Sequence, residues 1–292
     1  MNERPTLLDT GIDFRRYGYF TRPLSFSRHK DASAVDLKAW LRLEHLLDEL
    51  KRGRFEVLPM LLELLRASPD WKLKDAAAQI LGVTGTVEIF RDMRKELELM
   101  SSSQPATIDV RTRELIKLYC KAFTLWGRLD VVPVLMDQYL YLRLRKTPEI
   151  EMLPIWMADL LTADDESMIA QEPDEADLDD YLNLVMNRYD EICSELGSAK
   201  AVVFRGRLQS VRTWANRMRH PTATTLPFLS SELEETRSRF ESATGIDCSS
   251  AFPQGLPSSL AAASIAEQFL ASSDLASYQE GIRYFFGHRI PD

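Results

Sequence analysis

Apolar positions return every three or four residues along most of this chain, and strict alternation is hard to find. That period marks helices that bury one face. The pattern predicts helices over residues 38–67, 71–100, 109–126, 129–145, 150–161, 181–196, 199–218 and 227–242. A last helical pair follows over 260–271 and 275–287. The run Ser101-Ser102-Ser103, ending at Pro105, breaks the series once, and a Ser-, Gly- and Pro-rich stretch over 244–257 breaks it again. The short apolar runs 131–135 and 202–204 fit helices as well as strands. Residues 1–34 read as an arm, and 35–292 as one helical domain.

The most informative stretch is FEVLPMLLELLRASPDWKLKDAAAQILGVTG, residues 55–85. Val57, Leu58, Leu61, Leu62, Leu64 and Leu65 form a broad apolar face. Pro59 falls in a first turn, where its missing N–H costs nothing. Ser68-Pro69-Asp70 makes a corner with Asp70 placed to cap the second helix. Ala76, Ala77 and Ala78 permit close approach, Leu73, Ile80 and Leu81 fill the seam, and Gly82 or Gly85 is expected to end the helix left-handed. The aliphatic–aliphatic–Pro pattern recurs at Val131-Val132-Pro133-Val134-Leu135 and Met152-Leu153-Pro154-Ile155-Trp156, and more loosely at Leu226-Pro227-Phe228-Leu229. Pro59 and Pro133 lie 74 residues apart, close to two repeats of roughly 37 residues.

This order of proline, aspartate, alanines and glycine resembles the HEAT-repeat family. Lys72 and Lys74 flank the position at which that family usually carries an arginine. The resemblance implies an all-α fold without significant β-sheet. It would be a right-handed α-solenoid-like stack of antiparallel helix pairs, each too small to bury its stripe alone. The chain also looks like the HEAT-like immunity proteins that accompany bacterial polymorphic toxins.

Charge sharpens the picture because it is local. The chain carries 36 basic and 44 acidic residues, a net −8. Residues 164–180 hold nine acids and no base: Asp164, Asp165, Glu166, Glu172, Asp174, Glu175, Asp177, Asp179 and Asp180. Without them 36 basic residues face 35 acidic ones, a net +1. The acidity therefore belongs to one segment, which reads as a solvated loop and possible hinge, or as a docking site for a basic partner. It lacks the turn glycine and distal glutamate of a calcium loop. Pairing with the arginines of the predicted 199–218 helix, Arg205 to Arg217, and the following Arg219 is a further reading.

Candidate chemistry is sparse. His29, His45, His220 and His288 show no metal spacing, and no Gly-rich phosphate loop is present. Cys120, Cys193 and Cys248 lie far apart, as in cytosolic proteins with reduced thiols. The first thirty residues have no apolar leader core, and no apolar run approaches about 18 residues. The arm interleaves Arg15, Arg16, Arg22, Arg28, His29 and Lys30 with Phe14, Tyr17, Tyr19, Phe20 and Phe26. That mixture suits stacking on single strands, or pinning of the arm onto the first helices. Among HEAT-like proteins the alkylpurine DNA glycosylases are catalytic, and Trp126, Trp156 and Asp159 are the nearest equivalents of such a site. A neutral body with an acidic insert is the wrong field for DNA.

The expectation is thus a non-catalytic, cytoplasmic binding protein without cofactor, metal or membrane span. Its partner would be a protein with a basic surface, a toxin domain being the leading candidate. A scaffold or adaptor is the second reading, and a nucleic-acid-binding or glycosylase-like repeat protein the third.

Overall fold

Proline, aspartate and glycine set the helix ends largely where their backbone chemistry places them. The computed structural model describes residue 20 and residues 34–102, 108–163, 167–222, 226–252 and 257–291. Among these the protein is all-α, with two minimal antiparallel strand pairs. The helices are α1 (Ala34–Lys51), α2 (Leu58–Ala67), α3 (Trp71–Thr84), α4 (Val87–Ser102), α5 (Val110–Trp126), α6 (Val132–Arg143), α7 (Met152–Leu161) and α8 (Leu178–Leu196). After the strands β1 (Val203–Phe204) and β2 (Arg207–Leu208) come α9 (Val211–Arg219), α10 (Leu226–Thr244) and α11 (Ser259–Ala271). The strands β3 (Tyr284–Phe285) and β4 (His288–Arg289) follow.

The Pro59 and Asp70 expectations hold. Pro59 lies in the first turn of α2. The Asp70 carboxylate accepts from the Lys72 N–H at 2.9 Å and from the Trp40 indole at 2.9 Å. The glycine expectation does not hold, since neither Gly82 nor Gly85 has a positive φ. Both are needed for closeness instead. A β-carbon on Gly82 would lie 2.5 Å from that of Leu125, and one on Gly85 would lie 2.6 Å from the Leu81 carbonyl oxygen. The left-handed glycines stand elsewhere, Gly53 and Gly127 among them, and Gly53 splits the predicted 38–67 helix into α1 and α2.

Two predicted helices are corrected. Residues 199–210 are not helical: Val203↔Leu208 and Phe204↔Arg207 pair as a hairpin, and α9 starts only after Ser210, whose hydroxyl caps the Thr213 N–H. The β-branched run before Gly206 favours the strand, and Gly206 at φ 71° supplies the turn. The predicted helix over 275–287 is likewise a short 3-10 turn followed by the β3–β4 hairpin. Its aromatic Tyr284-Phe285-Phe286 run and left-handed Gly287 carry the same signal.

The chain groups into two compact units. Unit 1 takes residues 1–80 and 210–291, and unit 2 takes residues 81–209, the boundary falling within α3. In unit 1, α1 and α2 face each other through Leu43, Leu46, Leu47 and Leu50 and through Leu58, Leu61, Leu62 and Leu65. There α9 packs on α10 and α11 over Trp214, Met218, Phe240 and Phe269. The Phe240 and Phe269 rings meet edge to face at 5.0 Å. In unit 2 the buried α7, with Leu153, Trp156, Met157, Leu160 and Leu161, contacts α5, α6, α8 and β1. Phe90 stacks on Trp126 with centroids 4.0 Å apart.

Candidate acidic interface

The acidic segment belongs to unit 2 and owes its position to two tyrosines and an arginine. Tyr181, in the first turn of α8, is buried, sets its ring 5.7 Å from that of Tyr139, and donates its hydroxyl to the Ile169 carbonyl at 3.1 Å. Burial pushes both tyrosine hydroxyls above their ordinary range. Arg143, at the end of α6, donates to the Tyr139 hydroxyl at 2.6 Å and to the Pro173 carbonyl at 2.9 Å, and lies 3.6 Å from Glu172. One guanidinium thus ties the entry of the segment to the body of the unit. The Asp177 carbonyl accepts from the Tyr181 N–H at 2.9 Å and starts α8.

Beyond that anchor the carboxylates face water. Glu172, Asp174, Glu175, Asp177, Asp179 and Asp180 are all exposed. Asp164, Asp165 and Glu166 lie outside the described residues. Asp179 and Asp180 stand in the first turn of α8, where the helix dipole favours negative charge.

The acidic surface continues further than the charge run indicates. Helix α8 fully buries Tyr181, Val185 and Ile192, and leaves Asn183, Asn187, Asp190, Glu191 and Glu195 exposed. Helical periodicity sets Asp190 opposite that buried stripe, while Glu191 and Glu195 flank it and are exposed all the same. Between residues 172 and 195 the single basic residue is Arg188. It is already engaged, donating to the Leu161 carbonyl at 3.1 Å and to Glu191 at 2.9 Å. Two apolar side chains flank the acids: Met168 is 74% exposed and Leu184 is 37% exposed.

Two of the arginines named as pairing candidates have contacts outside the described acids of the segment. Arg219 pairs with Glu267 at 3.1 Å, and Arg205 lies over the Phe204 ring at 5.5 Å. The recorded cation at Glu172 is Arg143, which sequence spacing did not reveal. Trp126 and Trp156 are buried packing residues, and the Asp159 carbonyl accepts a hairpin N–H. Of the aromatic arm, Phe20 is described. It is buried and meets Phe285, on the C-terminal hairpin, edge to face at 5.8 Å. The other arm residues lie outside the described ones.

Among the described residues no three His, Cys, Asp or Glu side chains group as metal ligands would, and no helix is long and apolar enough to cross a membrane. Burial raises all three thiols; Cys120 and Cys248 lie in the core and Cys193 is half-buried.

Fold and surface together define a class: an all-α protein with a run of exposed carboxylates on a helix and its leading turn. No family model, curated protein or solved structure matches this chain.

Proposed function

We propose that this chain is a non-catalytic, cytoplasmic binding protein whose acidic α8 face captures a basic protein surface. The leading candidate is a toxin domain that it neutralises. The observation that carries this reading is the exposed set of carboxylates from Glu172 to Asp180, in the turn leading into α8 and its first turn, with Asp190, Glu191 and Glu195 exposed further along the same helix. Opposite charge steers association and penalises wrong partners more than it adds raw affinity. Met168 and Leu184, exposed among the acids, offer the apolar contact that a purely electrostatic encounter lacks. A nuclease toxin fits well, because its phosphate-binding cleft is basic by necessity. The HEAT-like stacking of helix pairs is part of the same proposal, as a frame that displays a face.

Neutralising Asp174, Glu175, Asp177, Asp179 and Asp180 to amides tests the reading. Far-ultraviolet circular dichroism is expected to stay as in the parent, and the unfolding midpoint to drop only slightly, as Asp179 and Asp180 lose their interaction with the α8 dipole. Pull-downs from the native host, read by mass spectrometry at low and high salt, should lose basic partners with the variant. Association with a captured partner should slow and its salt dependence flatten. Equal capture at low salt removes this face from the account. Partners that are retained and are not basic favour the scaffold reading. A neighbouring gene for a large secreted protein with a variable C-terminal domain favours the toxin.

A further inference from the structure

Nine residues recur at the same structural place in both units. Gly53-Arg54-Phe55-Glu56-Val57-Leu58-Pro59-Met60-Leu61 and Gly127-Arg128-Leu129-Asp130-Val131-Val132-Pro133-Val134-Leu135 share glycine, arginine, an acid, valine, proline and leucine in register. In both the glycine is left-handed, at φ 78° and 80°. A 3-10 turn follows (Phe55–Val57, Leu129–Val131), and proline enters the first turn of the next helix. Each glycine faces a β-hairpin of its own unit. A β-carbon on Gly53 would lie 2.8 Å from His288 Nδ1, and one on Gly127 would lie 2.9 Å from the Val203 carbonyl oxygen.

The hairpins match as well. Both turns place a bulky residue and then glycine in the left-handed region: Arg205 (φ 52°) with Gly206 (φ 71°), and Phe286 (φ 49°) with Gly287 (φ 80°). Such conformations are strained for arginine and phenylalanine, and persist where the surroundings over-determine them. Here the turn N–H groups cap a helix. Arg205 and Gly206 donate to the Asp159 and Leu160 carbonyls at the end of α7, each at 2.8 Å. Phe286 and Gly287 donate to the Ser242 and Ala243 carbonyls at the end of α10, also at 2.8 Å. These carbonyls lie in the last turn of a helix, where the intrahelical ladder supplies no donor.

We propose that the two hairpins are matched clasps, one per unit, and that the C-terminal one closes unit 1 by gripping both of its chain segments. Unit 2 is continuous in sequence, whereas unit 1 is built from residues 1–80 and 210–291. The β3–β4 hairpin touches both stretches. Phe285 holds Phe20, Phe286 lies under the Lys51 ammonium at 5.2 Å, and the His288 ring seats on Gly53. On the other side its turn caps α10, and the Phe286 ring covers the left-handed Gly245. Lifting it releases the end of α1 and the end of α10 together, while the β1–β2 hairpin keeps the end of α7 capped.

Hydrogen exchange read by mass spectrometry on the full chain tests this, with Phe286→Pro and Arg205→Pro as paired variants. Proline removes the capping N–H and cannot reach a positive φ. In Phe286→Pro, amides in residues 46–53 and 240–245 should exchange about tenfold faster or more, with residues 153–161 unchanged. Arg205→Pro should reverse the pattern. Should Phe286→Pro not yield folded protein, Gly287→Ala is expected to show the same pattern at smaller amplitude. Unchanged exchange at 46–53 in the C-terminal variants, or equal acceleration in all three segments, overturns the proposal.

Discussion

Glu241 and Arg237 form an ion pair inside the unit 1 core, with side chains 0% and 1% exposed and Nε 2.6 Å from Oε1. The Glu241 oxygen also accepts the Cys248 N–H at 2.8 Å, and the guanidinium lies 4.6 Å over Phe252. Desolvating two charges costs heavily, so such a pair adds little net stability while intact and much instability when halved. Glu241→Ala is therefore expected to cost about 3–5 kcal/mol, measured by urea unfolding at neutral pH. The double change Arg237→Met with Glu241→Leu should recover part of that loss. Recovery stays incomplete because the Cys248 N–H keeps no carboxylate acceptor, a penalty of about 1–3 kcal/mol. A single variant as stable as the parent would show that the pair is not buried in solution.

At the scale of elements, the end of α1 shows how charge and backbone cooperate. The Glu49 carbonyl accepts from the Arg52 and Arg54 N–H groups at 3.0 and 3.1 Å, and its carboxylate accepts from both guanidiniums at 2.5 Å. Burial opposes its ionisation, but Arg54 and then Arg52 outweigh that and hold the carboxyl below its ordinary range. A depressed carboxylate pKa contributes stability that is present above the unfolded value, about 4.3, and is lost as pH falls through the folded one. The urea midpoint of unit 1 should fall on acidification below that value, and Glu49→Gln should flatten that part of the profile. An unchanged profile would assign the acid sensitivity elsewhere. The elements themselves were legible where one chemistry dominated: Pro59 and Asp70 set helix starts, and α5 ends at Trp126 as the 109–126 period predicted, with Gly127 left-handed after it. They were illegible where a four-residue turn competed with a helical period. In Phe204-Arg205-Gly206-Arg207 and Phe285-Phe286-Gly287-His288 the deciding partners are helix ends distant in the sequence, namely Leu160, 46 residues before Gly206, and Ala243, 44 before Gly287.

At the scale of the whole molecule, the charge run at residues 172–180 was visible as composition, yet the exposure of Asp190, Glu191 and Glu195 required knowing which residues α8 buries. Arg143 was invisible for the same reason, because tertiary placement and not spacing brings it to Glu172. The three cysteines report on this partition between face and core. Cys193 rides on α8, half-buried beside the Tyr189 hydroxyl, whereas Cys120 and Cys248 are fully buried. Thiolate is the reactive form, and burial raises all three thiols, with the Tyr189 hydroxyl partly countering this at Cys193. In native protein a thiol-specific reagent should therefore label Cys193 first, slowly at neutral pH and faster as pH climbs past the ordinary thiol value of about 8.5. Cys120 and Cys248 should label only at urea concentrations that open the core around each of them. Peptide mapping after pulsed labelling separates the three sites. If Cys120 labels as fast as Cys193 without urea, the unit 2 core around α5 is open in solution, and α8 loses the rigid support on which an acidic docking face depends; the same result at Cys248 would show only that the unit 1 core around α10 is open.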